Sequence, residues 1–254
     1  MTNTILAKNE IAKYLNSGLN ILTFDEINST NDYAKKLAEK RPDTAILIVA
    51  DHQTAGYGRF KRDFYSPSNT GIYMSLLLPI NKIETDLPTL KACVSTVKAL
   101  RLNFPNADLK IKWINDILLN NKKISGILAE SINDGKNGIA YVILGIGVNL
   151  NTTDFPLEIQ DIASSITDSV TVNRNKIIAD IVNEFFKINH AENFLAEYIR
   201  FCGTIGKRVE LVNGNQHIVG TAEKIKSDGS LVIKDDKKNL HCFNSGEITK
   251  VYLK

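Results

Sequence analysis

The densest concentration of reactive side chains is the stretch 51–67, which reads DHQTAGYGRFKRDFYSP. Gly56 and Gly58 flank Tyr57, and Arg59, Lys61 and Arg62 follow at once. Glycines placed after a strand let the backbone approach a ligand closely and let a loop move. Cations directly behind them can hold carboxylate or phosphate oxygens. The stretch is not a P-loop, because no Gly-Lys-Ser/Thr follows. Nor is it a dinucleotide fingerprint, because Lys61 stands where the third glycine would be. A solvated basic surface loop fits the same residues.

Three other segments carry chemistry of the same kind. In KIKWIND (110–116), strand alternation puts Lys110, Lys112 and Ile114 on one face and Ile111 and Trp113 on the other. A half-exposed strand with snorkelling lysines reads identically. In KKISGIL (122–128), cations stand at a turn and Gly126 lies early in a strand, which marks either close approach of a ligand or a bulge. In LGIGVN (144–149), Gly145 and Gly147 share one strand face and Asn149 ends it; tight packing of a neighbouring element is the alternative. No Ser-His-Asp or Cys-His arrangement surrounds these motifs. Cys93, Cys202 and Cys242 are odd in number and lack C-x-x-C spacing, which argues against a disulfide framework or a zinc site.

The elements that must position these groups follow from periodicity. A short helix is expected before Gly18, then a strand at 19–27. Ser29-Thr30-Asn31-Asp32 has a hydroxyl three residues before a carboxylate, a capped helix start ahead of Tyr33, Ala34, Leu37 and Ala38. The apolar run 45–51 reads as a buried central strand, and 71–78 as another. An amphipathic helix is expected over 87–104. Strands are expected at 109–113, 117–119, 124–130 and 139–150, with turns such as Asn133-Asp134-Gly135 between them. One long helix is expected over 175–200. After Gly203 come short β-prone runs at 208–212, 218–226, 231–234, 240–243 and 248–253, separated by turn signals such as Asn213-Gly214 and Asp228-Gly229. The expected organisation is therefore α+β: a mixed-sheet domain packed with helices over residues 1–203, then a small all-β domain over 204–254.

Bulk composition is consistent with this. The 254 residues are 43% hydrophobic and 23% charged, with a net charge of +3, which excludes a disordered chain. The charge falls short of a nucleic-acid signature. The first residues lack the pattern of a secretory signal, and no apolar run approaches the roughly 20 residues needed to span a bilayer. A cytoplasmic location, with no membrane partner, is the expectation.

Taken in order, INSTN, ADHQTAGYGR, KWIND closely followed by KISGIL, and LGIGVNLN resemble the biotin protein ligase family. A small C-terminal β domain, SH3-like in that family, fits too. The resemblance implies an ATP- and Mg²⁺-dependent ligase that makes biotinyl-5'-AMP. It then transfers biotin to a lysine of the biotin carboxyl carrier protein of acetyl-CoA carboxylase. By matching motif positions, Ser29, Thr30, Asn31, Gln53, Tyr57, Gly58, Arg59, Lys123 and Gly126 would contact biotin, and Arg62, Lys112 and Asn149 the nucleotide. Lys123, Arg59 and Asp116 would be catalytic, with Asp116 also near the metal. A lipoate or octanoate ligase or transferase of the related fold is the alternative, although this chain has no Gly-Gly pair. Fewer than thirty residues precede Ser29, too few for a DNA-binding winged helix, so no DNA partner is expected; a homodimer is left open. Four positions depart from the family pattern. Tyr57 replaces an arginine, Lys61 a glycine or asparagine, Phe64 a tryptophan and Ile114 a proline.

Overall fold

The computed structural model describes residues 5–252, apart from Ser17, 83–85, Asp134, 136–137 and Val170. Asp134 of the expected 133–135 turn and Leu253 of the last expected strand lie outside the described residues. In the first part of the chain seven strands form one sheet. They are β1 (Asn20–Ile27), β2 (Ile46–Gln53), β3 (Gly71–Pro79), β4 (Leu109–Lys112), β5 (Asp116–Leu119), β6 (Lys122–Asn133) and β7 (Ile139–Asn149). Their order across the sheet is β1-β2-β3-β7-β6-β5-β4. The β1–β2 pair is parallel and the others are antiparallel, so the sheet is mixed.

Strand alternation explains how both faces are covered. On β2, Leu47 and Val49 join the large core under helices α3 (Pro88–Asn103) and α4 (Arg174–Asn189), whereas Ile46 and Ile48 meet Ala34 and Ala38 of helix α2 (Thr30–Ala38). A short helix α1 (Lys8–Ala12) packs Ile11 into the large core. Thus the apolar run of β2 is continuous because neither of its faces meets water. Ser29 caps α2, accepting a hydrogen bond from the Asp32 amide at 3.4 Å.

Two expectations need correction. The long helix over 175–200 is two helices, α4 and α5 (Phe194–Phe201). The Ala191 amide returns to the Ile188 carbonyl at 2.9 Å, and Asn193 starts the second helix in a non-helical conformation. A bend here lets Ile177, Ile181 and Phe185 of α4 and Tyr198 and Phe201 of α5 all reach the core; a straight helix would carry the second group away. The strand expected over 109–113 ends at Lys112, and Ile114 leaves the face shared by Lys110 and Lys112. Its carbonyl instead accepts the Tyr198 hydroxyl at 3.1 Å.

The C-terminal part is an antiparallel five-stranded sheet in the order β11-β10-β9-β8-β12. These strands are β8 (Arg208–Asn213), β9 (Gln216–Ile225), β10 (Leu231–Asp235), β11 (Leu240–Phe243) and β12 (Glu247–Tyr252). Gly214 and Gly229 take positive φ of 57° and 79° at the tight turns, where a side chain would be strained. This sheet docks on the first through Trp113. The indole donates to the Gly229 carbonyl at 3.1 Å, and the Trp113 amide donates to the Thr204 hydroxyl at 3.0 Å. One apolar core runs through both parts, including Ile111 and Leu211. Among the described residues no helix is long and apolar enough to cross a membrane.

Candidate active site

The pocket of interest opens where α2, the loop after β2 and strands β6 and β7 meet. Its volume is about 120 Å³, and it is lined by Ser29, Thr30, Asn31, Gln53, Tyr57, Gly58, Arg59, Arg62, Asp116, Lys123 and Gly126. Of the residues matched by resemblance to biotin, nucleotide or catalytic positions, only Lys112 and Asn149 lie outside it. Both line an adjoining cleft of about 890 Å³, which shares Arg62, Asp116 and Lys123 with the pocket and is walled by the C-terminal sheet. Segments far apart in sequence therefore meet around one cavity.

One end of the pocket is a polar network. The Thr30 amide and hydroxyl point to Gln53 Oε1 at 2.9 and 3.1 Å, and Gln53 Nε2 donates to Ser66 Oγ at 3.1 Å. Ser75 Oγ lies 2.8 Å from Thr30 Oγ1 and 2.5 Å from Asn31 Oδ1, while Asn31 Nδ2 donates to Glu130 Oε2 at 2.8 Å. The strand glycines make room for this. A Cβ on Gly145 would stand 2.4 Å from Asn31 Oδ1, and one on Gly147 would stand 2.5 Å from the Phe64 ring. Close packing and pocket formation are here the same fact.

The other end is cationic. Asp116 lies at its centre, with Lys123 Nζ 2.7 Å from Oδ1 and Lys112 Nζ 3.4 Å from Oδ2. Burial alone would raise the Asp116 pKa, but the two ammonium groups outweigh it and hold the carboxyl below its usual range. Arg59 donates to Asn115 Oδ1 at 3.2 Å and to the Gly246 carbonyl at 3.0 Å. Burial lowers its pKa, opposed by the charges of Asp116 and Glu247. Arg62 pairs with Glu247, and Lys112 also donates to the Ile248 carbonyl at 3.3 Å. Asn149 donates to the Ser164 carbonyl at 3.2 Å, and its buried Oδ1 has no hydrogen-bond partner among the described residues. An acceptor left in that state suits a ligand donor.

The loop carrying Arg59 is a small hairpin. Gly58 and Phe64 amides donate to the Arg62 and Gly56 carbonyls, both at 2.8 Å. A Cβ on Gly56 would stand 2.6 Å from Gln53 Nε2. The arrangement can neutralise two anions brought together beside a polar pocket.

The sequence profile of the biotin/lipoate A/B protein ligase family matches residues 23–149, and that of the biotin protein ligase C terminal domain matches residues 204–251. The chain is a member of the biotin protein ligase family. Among its relatives, the Bacillus subtilis bifunctional ligase/repressor BirA is 37% identical over 178 residues, 67% of this chain and 54% of that protein. The Mycobacterium tuberculosis biotin–[acetyl-CoA-carboxylase] ligase is 30% identical over 223 residues, 82% of this chain and 80% of that protein. The match thus spans about half the length of the Bacillus relatives. Among solved structures, a biotin protein ligase from Aquifex aeolicus in complex with biotin and ATP is 26% identical with a TM-score of 0.76, covering 91% of this chain and 97% of that one.

Within this ligase fold, the residues that departed from the family pattern find local roles. Phe64 packs on Gly147 and edge-on to Tyr73, with ring centroids 6.4 Å apart. Ile114 packs against the core. Lys61 Nζ lies 3.6 Å from the centroid of the Tyr57 ring. Sequence reasoning missed Glu130, Lys35, Ser75, Asn115 and Glu247. Alternation from Gly126 through Leu128 points to Glu130 on the same strand face. Glu247 carried no local signal, since the fold alone brings it to Arg62.

Proposed function

We propose that this chain activates biotin with ATP and transfers it to a lysine of a biotin carboxyl carrier protein. The observation that carries the reading is the convergence of Lys112 and Lys123 on Asp116, with Arg59 beside them, next to a polar pocket of small-ligand size. In the first step a biotin carboxylate oxygen forms a bond to the α-phosphorus of ATP. The bond from that phosphorus to the β-phosphate oxygen breaks, and pyrophosphate leaves. Both reactants are anions: at an effective dielectric near 20, two unit charges about 4 Å apart interact by roughly 4 kcal/mol. Lys123, Lys112, Arg59 and Arg62 reverse the sign of that encounter. No general base is needed, because the carboxylate is already ionised at neutral pH. Catalysis then rests on positioning and charge stabilisation.

In this reading Ser29, Thr30, Asn31 and Gln53 hold the ureido head of biotin, and Tyr57, Gly58 and Gly126 enclose the chain. Asn149 Oδ1 accepts from the adenine amino group. In the second step the neutral amine of the acceptor lysine attacks the acyl carbon, the acyl–phosphate bond breaks, AMP leaves, and the nitrogen gives up its extra proton to water. The amine reaches the acyl carbon from the larger cleft. Asp116 faces two ammonium groups, and among the described residues no group of three His, Cys, Asp or Glu side chains could hold a metal. These side chains do not form a resident metal cage, and Mg²⁺ enters with the phosphates of ATP.

Incubation of the protein with ATP, Mg²⁺ and either biotin or lipoate, followed by mass analysis, tests the reading. Biotinyl-5'-AMP is the expected product. Lipoyl-AMP alone, or no adenylate, would overturn it.

A further inference from the structure

Tyr57 has a second environment that the proposed chemistry does not use. Its phenol turns towards α2 and β6, where the hydroxyl donates to Asp32 Oδ1 at 2.7 Å and accepts from Lys35 Nζ at 2.8 Å. Lys35 also donates to Glu130 Oε1 at 2.8 Å, and Asn31 holds the other oxygen of that carboxylate at 2.8 Å. Lys61 Nζ lies over the ring, 3.6 Å from the centroid. One continuous chain, Asp32–Tyr57–Lys35–Glu130–Asn31, thus ties the loop to the pocket itself. The groups keep the protonation states this needs. Burial and the neighbouring carboxylates keep the phenol protonated against the influence of Lys35. Burial works against the Lys35 ammonium, but Glu130 and Tyr57 outweigh it.

The loop needs such a tie. At its apex Phe60 and Lys61 both take φ of 58°, a left-handed conformation that non-glycine residues hold only under constraint. Tyr57 pairs across the hairpin with Asp63, so fixing Tyr57 fixes the apex and the direction of Arg59.

We infer that Tyr57 is a positioning residue: its phenol latches the 56–64 hairpin to α2 and β6, holding Arg59 over the pocket without a ligand and slowing escape of an acyl-adenylate. The second half rests on the function proposed above; the first half stands without it.

Trypsin provides a direct probe, because it can cut after Arg59, Lys61 and Arg62. In the intact protein without ligand, Tyr57→Phe is expected to speed cleavage within the hairpin about tenfold, the value of one hydrogen bond to a charged partner. Asp32→Ala is expected to speed cleavage in the same sense, and the double variant to add less than the sum of the two, because Asp32 acts on the loop through the Tyr57 hydroxyl. Hairpin cleavage within twofold of the parent, fully additive effects, or a matching fall in the global unfolding midpoint would overturn the latch. A second arm isolates the enzyme–adenylate complex and follows release of biotinyl-AMP. About tenfold faster release from Tyr57→Phe is expected, and unchanged release would overturn the retention role. If the parent protein makes no adenylate, the functional reading fails, while the trypsin arm still decides the latch.

Discussion

Replacing Asp116 with asparagine keeps the shape of the side chain and removes one negative charge. With Lys123 at 2.7 Å and Lys112 at 3.4 Å, the gross attractions at an effective dielectric of 20 are about 6 and about 5 kcal/mol. Most of this is offset by desolvation, and Lys123, with 37% of its side chain exposed, is further screened by water. A net loss of about 2–3 kcal/mol is therefore expected, below the range for breaking a fully buried pair. For a chain of this length that lowers the unfolding midpoint by roughly 4–12 °C. The activity should fall further than the stability implies. Two ammonium groups freed from their common carboxylate move apart, and a displacement of about 1 Å can cost about a hundredfold in rate. Pyrophosphate release with biotin and ATP, and transfer from preformed biotinyl-5'-AMP to a carrier lysine, should be measured separately. A clamp on the two lysines requires adenylate formation to fall about a hundredfold, at least as much as transfer. If adenylate formed at the parent rate and only transfer failed, Asp116 would be acting on the incoming amine, and the clamp would be refuted.

Other expectations follow from particular contacts. Gly147→Ala drives a methyl into the Phe64 ring at 2.5 Å, whereas Gly126→Ala meets the end of the Lys123 side chain at 3.1 Å and the Phe64 ring edge at 3.4 Å. Steady-state kinetics should accordingly show a rise of about tenfold or more in KM for biotin in the first variant and a smaller one in the second. Glu247→Gln removes the carboxylate that pairs with Arg62 and, on the proposed function, would compete with the ATP phosphates for it. Its KM for ATP should fall severalfold, and an unchanged or raised KM would contradict the competition. His241 and Asn239 hold the Asp235 carboxyl down, from 3.8 to about 2. Because the folded value is the lower one, its contribution is present above pH 3.8 and is lost as pH falls towards about 2. A carboxyl NMR titration with a midpoint near 2, and a flatter acid limb of stability in Asp235→Asn, would bear this out.

The site was more legible in the sequence than the fold around it, and the reason is local. Gly58-Arg59, Lys112 and Lys123-Ile124-Ser125-Gly126 announce themselves because ligand chemistry demands residue types that ordinary packing rarely groups together. The break between α4 and α5 leaves no such mark. Its cause is tertiary, since Tyr198 and Phe201 must turn back to the core, and the apolar spacing alone suits a straight helix. The departure of Ile114 from the strand face is likewise set by Tyr198, eighty-four residues away. Glu247 shows the limit from the other side. A single glutamate in a terminal strand has no pattern to read, yet the docking of the C-terminal sheet brings it beside Arg62 and the other cations of the cleft.

That docking bears on how four cations can be gathered around the pocket and its adjoining cleft before any anion arrives. Like charges this close repel, so each must be held by something the fold supplies. The holders fall into two kinds. Asp116 is mostly buried, with 14% of its side chain exposed, and it binds two lysines at once, so no incoming phosphate can replace it cheaply. The partners of Arg59 and Arg62 are different: a backbone carbonyl, an amide oxygen and a more exposed carboxylate, Glu247. Phosphate oxygens can take over those contacts without leaving a buried charge behind. Lys112 and Lys123 therefore form the fixed part of the site and Arg59 and Arg62 its exchangeable part, and the C-terminal part of the chain, through Gly246 and Glu247, supplies two of the three contacts that are exchanged. On this argument, loosening that sheet should weaken nucleotide binding before it disturbs the polar pocket, and biotin affinity measured without ATP should outlast ATP affinity in Trp113→Phe, which loses the indole hydrogen bond to Gly229.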